Sequence, residues 1–197
     1  LQAAADLADL TVPFLGINLG TLGFLAEVNK TDIEHALLRL IEGDYEIEKR
    51  MMLTGDVFQE DRDMPEDSTQ ALNDIVITRK GSLQIIIFTI SVNGQFLHRY
   101  SADGMIVATP TGSTGYNLSA GGPVVDPKAQ LMVISPICPH SMQHSSIVLS
   151  PEDEVTISID TGHDGTVQEV EASFDGNHRV TLRTGDRIVI RRSSRTT

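Results

Sequence analysis

The densest run of chemistry-bearing residues in the chain lies between Asp103 and Pro123. There Met105–Ala108 reads as a strand entering Thr109-Pro-Thr-Gly-Ser-Thr-Gly-Tyr116, where four hydroxyls and two glycines fall within eight residues. Glycine lets backbone N–H groups approach a ligand closely, and hydroxyls add short-range donors and acceptors. A helix starting near Ser113 would add its positive N-terminal end, so the run can take phosphate or nucleotide without a lysine. It is no Walker loop, because no Lys follows the glycine. By composition alone it also reads as a Ser/Thr/Gly turn between strand and helix. Asn73-Asp74 opens the run Ile75-Val76-Ile77; an amide beside a carboxylate can grip a ribose diol or an adenine edge, or can cap a turn. Asp103 is a third candidate, a lone acid in a turn close to the hydroxyl run.

Other chemistries find little support. The six histidines show no metal-ligand spacing, and the single Cys138 offers neither a disulfide nor a CxxC pair. No G-x-S-x-G nucleophile elbow occurs. With 15 Lys+Arg against 27 Asp+Glu the net charge is −12, which argues against a general nucleic-acid binder and against docking on an anionic membrane. No apolar stretch is long enough for a membrane span and no signal peptide opens the chain, so a cytoplasmic location is expected. The sequence opens on Leu1 rather than Met, so the natural N-terminus is expected upstream.

The elements that must hold these residues follow from periodicity. Leu1–Asp9 is helix-forming, and Val12–Ile17 reads as a buried strand running into the glycine-rich Asn18–Gly23. Thr31-x-x-Glu34 has capping-box spacing ahead of a helix carrying Ile33, Ala36, Leu37, Leu40 and Ile41, with Gly43 as its stop. From Tyr45 the period changes to two, giving strands at Tyr45–Gln59, Ala71–Arg79, Leu83–Asn93, Gln95–Tyr100 and Met105–Thr109, then Glu154–Asp160, Gln168–Phe174, His178–Arg183 and Arg187–Arg192. Asn93-Gly94 and Asp175-Gly176 are hairpin signals, and Glu60–Ser68 reads as an exposed acidic loop. The expected organisation is the end of an α/β domain (1–44), a β-rich domain (45–190) and a solvated tail (191–197) carrying Arg191, Arg192 and Arg195.

Taken together, Gly16-Ile-Asn-Leu-Gly-Thr-Leu-Gly-Phe24, Asn73-Asp74, Asp103-Gly104, Thr109–Tyr116 with Leu118-Ser-Ala-Gly-Gly-Pro123, and Pro136–His140 resemble the motifs of the NAD kinase family, in that family's order. The resemblance implies an α/β domain followed by a layered β-sandwich that binds NAD. It implies transfer of the γ-phosphate of ATP, or of polyphosphate, to the 2′-hydroxyl of the adenosine ribose of NAD, with Mg²⁺ or another divalent cation, in a homodimer or homotetramer. By motif, Asn73 and Asp74 would hold adenine and ribose, and Thr114, Gly115, Tyr116 and Ser119 would line the adenine pocket. Asp103 would meet the ligand across a subunit contact, Phe24 would pack beside the dinucleotide, and Asp175 would face the site. Asn18, Gly20, Thr111, Gly112 and Ser113 would serve the phosphate side.

Three departures stand out. Gly115 occupies a position where the family usually has Ala, and Gln143-His-Ser-Ser146 replaces a common Arg-Pro pair. The family's G-G-D-G-T motif, whose Asp is the expected base, would lie just ahead of Leu1; within the chain Asp74 is the candidate partial substitute. The alternative class is a non-catalytic NAD or NADP-binding module. A lipid kinase of the same superfamily would need an acyl pocket that the hydroxyl-rich loop does not offer.

Overall fold

The computed structural model describes residues 12–19, 28–81, 85–140 and 145–197. The Leu1–Asp9 helix, most of the Gly16–Phe24 loop including Gly20 and Phe24, Leu83, and Gln143 lie outside the described residues.

Strands β1 (Ile17–Asn18) and β2 (Val28–Asn29) pair in parallel. The strand expected over Val12–Ile17 is therefore shorter and later, and Val12, Phe14, Leu15 and Ile17 are exposed rather than buried. A 3₁₀ turn at Lys30–Asp32 leads into α1 (Ile33–Glu42). No side chain caps the start of α1, so the expected capping box does not form; the Thr31 hydroxyl instead donates to Asp32 at 3.3 Å. Gly43 ends the helix as expected, in the left-handed region at φ 76°, where a Cβ would be unfavourable.

Two six-stranded antiparallel sheets follow, built from β3 (Met51–Phe58), β4 (Asp67–Ala71), β5 (Asp74–Arg79), β6 (Ile86–Val92), β7 (Gln95–Ala102), β8 (Gly104–Ala108), β9 (Met132–Ile137), β10 (Ile147–Leu149), β11 (Val155–Ile159), β12 (Glu169–Phe174), β13 (His178–Arg183) and β14 (Arg187–Thr196). One sheet has the order β10-β9-β8-β5-β12-β13 and the other β4-β3-β14-β11-β6-β7. Alternation explains the stacking. Ile75 and Ile77, Met105 and Val107, and Ala172 and Phe174 from the first sheet join Leu53, Val57, Phe88, Ile90, Val155, Ile157, Ile188 and Ile190 from the second in one buried cluster. This is a layered β-sandwich preceded by part of an α/β unit. Among the described residues no helix is long and apolar enough to cross a membrane.

Three sequence expectations change here. The continuous strand Ala71–Arg79 is broken at Leu72-Asn73, because β4 and β5 belong to different sheets. The acidic loop ends earlier than Ser68, which already pairs with Asp56 in the sheet. The tail expected over 191–197 is the second half of β14: Arg191 pairs with Thr54 and Arg192 with Leu53, and Thr196 meets Met51 after a register shift. Arg191, Arg192 and Arg195 are all exposed, and Arg191 forms an ion pair with the buried Asp56 at 2.6 Å.

Candidate functional site

The break between β4 and β5 makes a corner at Leu72-Asn73, where the backbone leaves one sheet and enters the other. Its N–H groups need partners, and one carboxylate supplies them. Asp175 accepts from Leu72 N at 2.8 Å through Oδ2, and from Asn73 N at 2.7 Å and Asp74 N at 3.2 Å through Oδ1. The Asp175 N–H in turn donates to the Asp74 carbonyl at 3.0 Å.

Asp74 is 7% exposed, and among the described residues no donor reaches its carboxyl. Burial, and then the negative charge of Asp175, push that carboxyl up from 3.8 to about 7. A carboxyl with such a value exchanges a proton near neutrality. Among the described residues, the neighbouring Asn73 Oδ1 is buried with no hydrogen-bond partner, and so is the Thr111 hydroxyl. Buried polar atoms are normally satisfied, so these two oxygens are candidates for contact with a polar ligand.

The hydroxyl-rich run folds across this corner. Thr109 donates through Oγ1 to the Leu72 carbonyl at 2.6 Å and through its N–H to the Asn73 carbonyl at 2.8 Å, and its hydroxyl accepts from Gly112 N at 3.1 Å. Gly112 lies so close to the Asn73 backbone that any Cβ would overlap the Asn73 carbonyl. A Cβ at Gly115 would stand 3.8 Å from both Asn73 Nδ2 and Asp74 Oδ2, so this residue borders the same space.

The expected helix near Ser113 is instead a 3₁₀ turn, Thr111–Thr114, and the single turn α2 (Tyr116–Ser119), too short for a useful macrodipole. The Ser113 hydroxyl is engaged within the protein: it donates to the Val125 carbonyl at 3.2 Å and accepts from Val125 N at 3.0 Å. Tyr116 and Ser119 are exposed on α2, and Thr114 is half-buried.

Asn117, not singled out from the sequence, is the loop's internal fastener. Its Nδ2 donates to the Ser113 and Pro123 carbonyls, each at 3.0 Å, and its Oδ1 accepts from Ser135 at 2.6 Å. Ser146 touches the same Ser135 hydroxyl at 2.7 Å. Thr109 was equally inconspicuous among four hydroxyls; being buried at a strand end was the signal that sets it apart.

The structure thus brings together Asn73, Asp74, Thr111, Gly112, Gly115 and Asp175. Asp103 is elsewhere. Asp74 pairs with Ala108 at one end of the β5–β8 ladder and Thr78 with Gly104 at the other, a separation of about 14 Å. At that far end Asp103 pairs with Arg79 at 3.2 Å. Asn18 is half-buried in β1, outside the sandwich sheets. Among the described residues no group of three His, Cys, Asp or Glu side chains converges as a metal site.

Comparisons with known proteins agree with this layout. A model of the ATP-NAD kinase C-terminal domain matches residues 72–197, and one of the ATP-NAD kinase N-terminal domain matches residues 1–45. The NAD kinase of Lachnoclostridium phytofermentans is 46% identical over 193 residues, covering 98% of this chain and 68% of that protein. The NAD kinase of Lachnospira eligens is 44% identical over 204 residues, covering 99% and 69%. Among solved structures, yeast NADH kinase complexed with NADH superposes with a TM-score of 0.83 at 32% identity, over 92% of this chain and 51% of that one. An NAD kinase from Archaeoglobus fulgidus in complex with ATP gives 0.78 at 29% identity, over 94% and 67%. Both solved proteins are kinases of a nicotinamide dinucleotide, and that is the class in which this layered β fold falls. The chain belongs to the NAD kinase family. It spans 68% and 69% of the two curated relatives named and 51% of the yeast structure.

Proposed function

We infer that the protein phosphorylates NAD at the 2′-hydroxyl of its adenosine ribose, taking the γ-phosphate of ATP or of polyphosphate. The observation that carries this reading is the buried Asn73-Asp74 corner, with its orphaned Asn73 and Thr111 oxygens and the open face of Gly115. Asn73 Oδ1 would accept from, and Nδ2 donate to, an adenine edge or ribose hydroxyl, and the Asp74 carboxyl would lie against the ribose. Thr114, Tyr116 and Ser119 would border the adenine, and Thr111 and Gly112 would stand on the phosphate side. In the transfer, the 2′-oxygen forms a bond to the γ-phosphorus and the bond to the β,γ-bridging oxygen breaks. ADP leaves, and the hydroxyl proton passes to a carboxylate. Asp74, its carboxyl pushed up to about 7, is the acceptor this chain offers.

Asp103, beside Arg79 and about 17 Å along the ladder from Asp74, would serve the site of another copy rather than its own. This supports a homo-oligomer, dimer or tetramer. The domain boundary near residue 44 follows the change from α1 to the sandwich. A cytoplasmic location fits a chain whose substrates are soluble nucleotides.

The test is direct. The protein is incubated with NAD and ATP, or NAD and polyphosphate, and NADP is measured by a coupled dehydrogenase. Calorimetric titration with NAD is run on the same sample. Asn73→Ala is expected to weaken NAD binding by about 1–3 kcal/mol. Unchanged affinity removes Asn73 from the site, and NAD binding with background turnover on both donors refutes the transfer.

A further inference from the structure

The resemblance casts Asp175 as a residue facing NAD, yet both oxygens of its carboxylate are already used by the protein. We propose that Asp175 is a positioning residue: by gathering the N–H groups of Leu72, Asn73 and Asp74 it holds the inter-sheet corner in the shape that presents Asn73 and Asp74 to the dinucleotide. The proposal rests on the reading of that corner as the NAD site.

Three observations converge on it. First, the corner has no ladder of its own. β4 ends at Ala71 in one sheet and β5 starts at Asp74 in the other, so the intervening N–H groups would be buried without partners if Asp175 were removed. Three successive N–H groups pointing at one carboxylate form an anion nest, and its occupant comes from a residue about a hundred positions away.

Second, Asp175 is itself held rigidly. Phe174 before it is 2% exposed in the sandwich core and pairs with Ile75 across β12 and β5, while the Asp175 N–H bonds to the Asp74 carbonyl. The clamp therefore runs in both directions between the same two residues. Third, Asp175 sits at φ 50° in the left-handed region, followed by Gly176 at φ 74°. A residue other than glycine is uncommon there, and Asp and Asn are the side chains that tolerate it best. The turn thus accepts an aspartate at a conformational cost and aims its carboxylate at the corner.

A clamp and a ligand contact predict different outcomes. Asp175→Gly keeps the turn, because glycine occupies the left-handed region freely, and deletes the carboxylate. Asp175→Asn keeps one acceptor oxygen and removes the charge. Three measurements on the full chain follow: amide hydrogen exchange at residues 72–74, the NMR titration of the Asp74 carboxyl carbon, and calorimetric NAD affinity. Asp175→Gly is expected to speed exchange at all three amides by at least about tenfold and to lower NAD affinity by about tenfold. Asp175→Asn is expected to restore part of the protection and affinity. Both variants should move the Asp74 titration to lower pH, because the like charge that raises it is gone while burial remains.

Exchange rates and an Asp74 titration equal to the parent in both variants overturn the proposal, whatever happens to affinity, since only a ligand contact would behave that way. A parent chain that fails to bind NAD would sink the NAD reading alone. The exchange and titration measurements would still decide whether the clamp exists.

Discussion

The two ends of the β5–β8 ladder carry one aspartate each, and the fold treats them in opposite ways. At one end Asp74 is 7% exposed, faces the like charge of Asp175, and holds its proton up to about pH 7. At the other, Asp103 is accessible over 29% of its side chain and bonded to the Arg79 guanidinium at 3.2 Å. The same residue type is thus buried and unpaired at one end, with its carboxyl pushed up to about 7, and bound to a guanidinium at the other. The Asp74 end is closed over by the segment that starts at Thr109, which packs on the Leu72-Asn73 backbone. The Asp103 end is left partly open.

The sharpest way to break this contrast is to open the closed end. Gly112→Ala would drive a methyl into the Asn73 carbonyl, and the loop would have to lift from the corner. A loss of about 3 kcal/mol in urea denaturation is expected, together with loss of measurable NAD binding. Unaltered stability and affinity would show that the loop does not bear on the corner.

Neutralising Asp74 comes next. Its folded-state value lies above the ordinary 3.8, so the protonated acid favours the fold. That contribution is whole at low pH and disappears as pH climbs from about 4 through about 7. Asp74→Asn should therefore melt like the parent near pH 4. At pH 8 it should be more stable, by an amount on the order of a few kcal/mol at most. A stability gain independent of pH would contradict the buried, unpaired state of this carboxyl. The smallest effect is expected at the open end. Arg79→Met removes a partly exposed ion pair and should cost less than about 1 kcal/mol, fading in high salt. A cost matching that of the closed end would erase the contrast.

Much of this architecture could be read from residue patterns, and the failures share a cause. Asn93-Gly94 is the hairpin turn its sequence announces, with φ of 51° and 74°, because a two-residue turn is a local matter. Asn73-Asp74 was visible as a polar pair at a strand start. The break before it was not, since Ala71 and Ile75 alternate as if in one strand and only the competition between two sheets separates them. The hydroxyls of Thr109 and Ser113 looked like ligand donors in the sequence. They turn inward because Leu72 and Val125, distant along the chain, need their hydrogen bonds. Arg191 and Arg192 looked like solvent-seeking ends of the molecule, yet strand pairing asks only that alternate side chains face inward, and Ile188 and Ile190 do.

The position of β14 has a consequence for how the molecule comes into being. It follows every other strand in sequence, yet it lies inside its sheet, between β3 and β11. While the chain is being synthesised, β3 and β11 must wait with open hydrogen-bonding edges, and the sheet can close only once β14 has emerged. Such late, long-range closure makes folding slow and leaves the nascent chain prone to sticking. Strand β14 is thus the keystone of assembly, and removing it would leave a gap down the middle of its sheet.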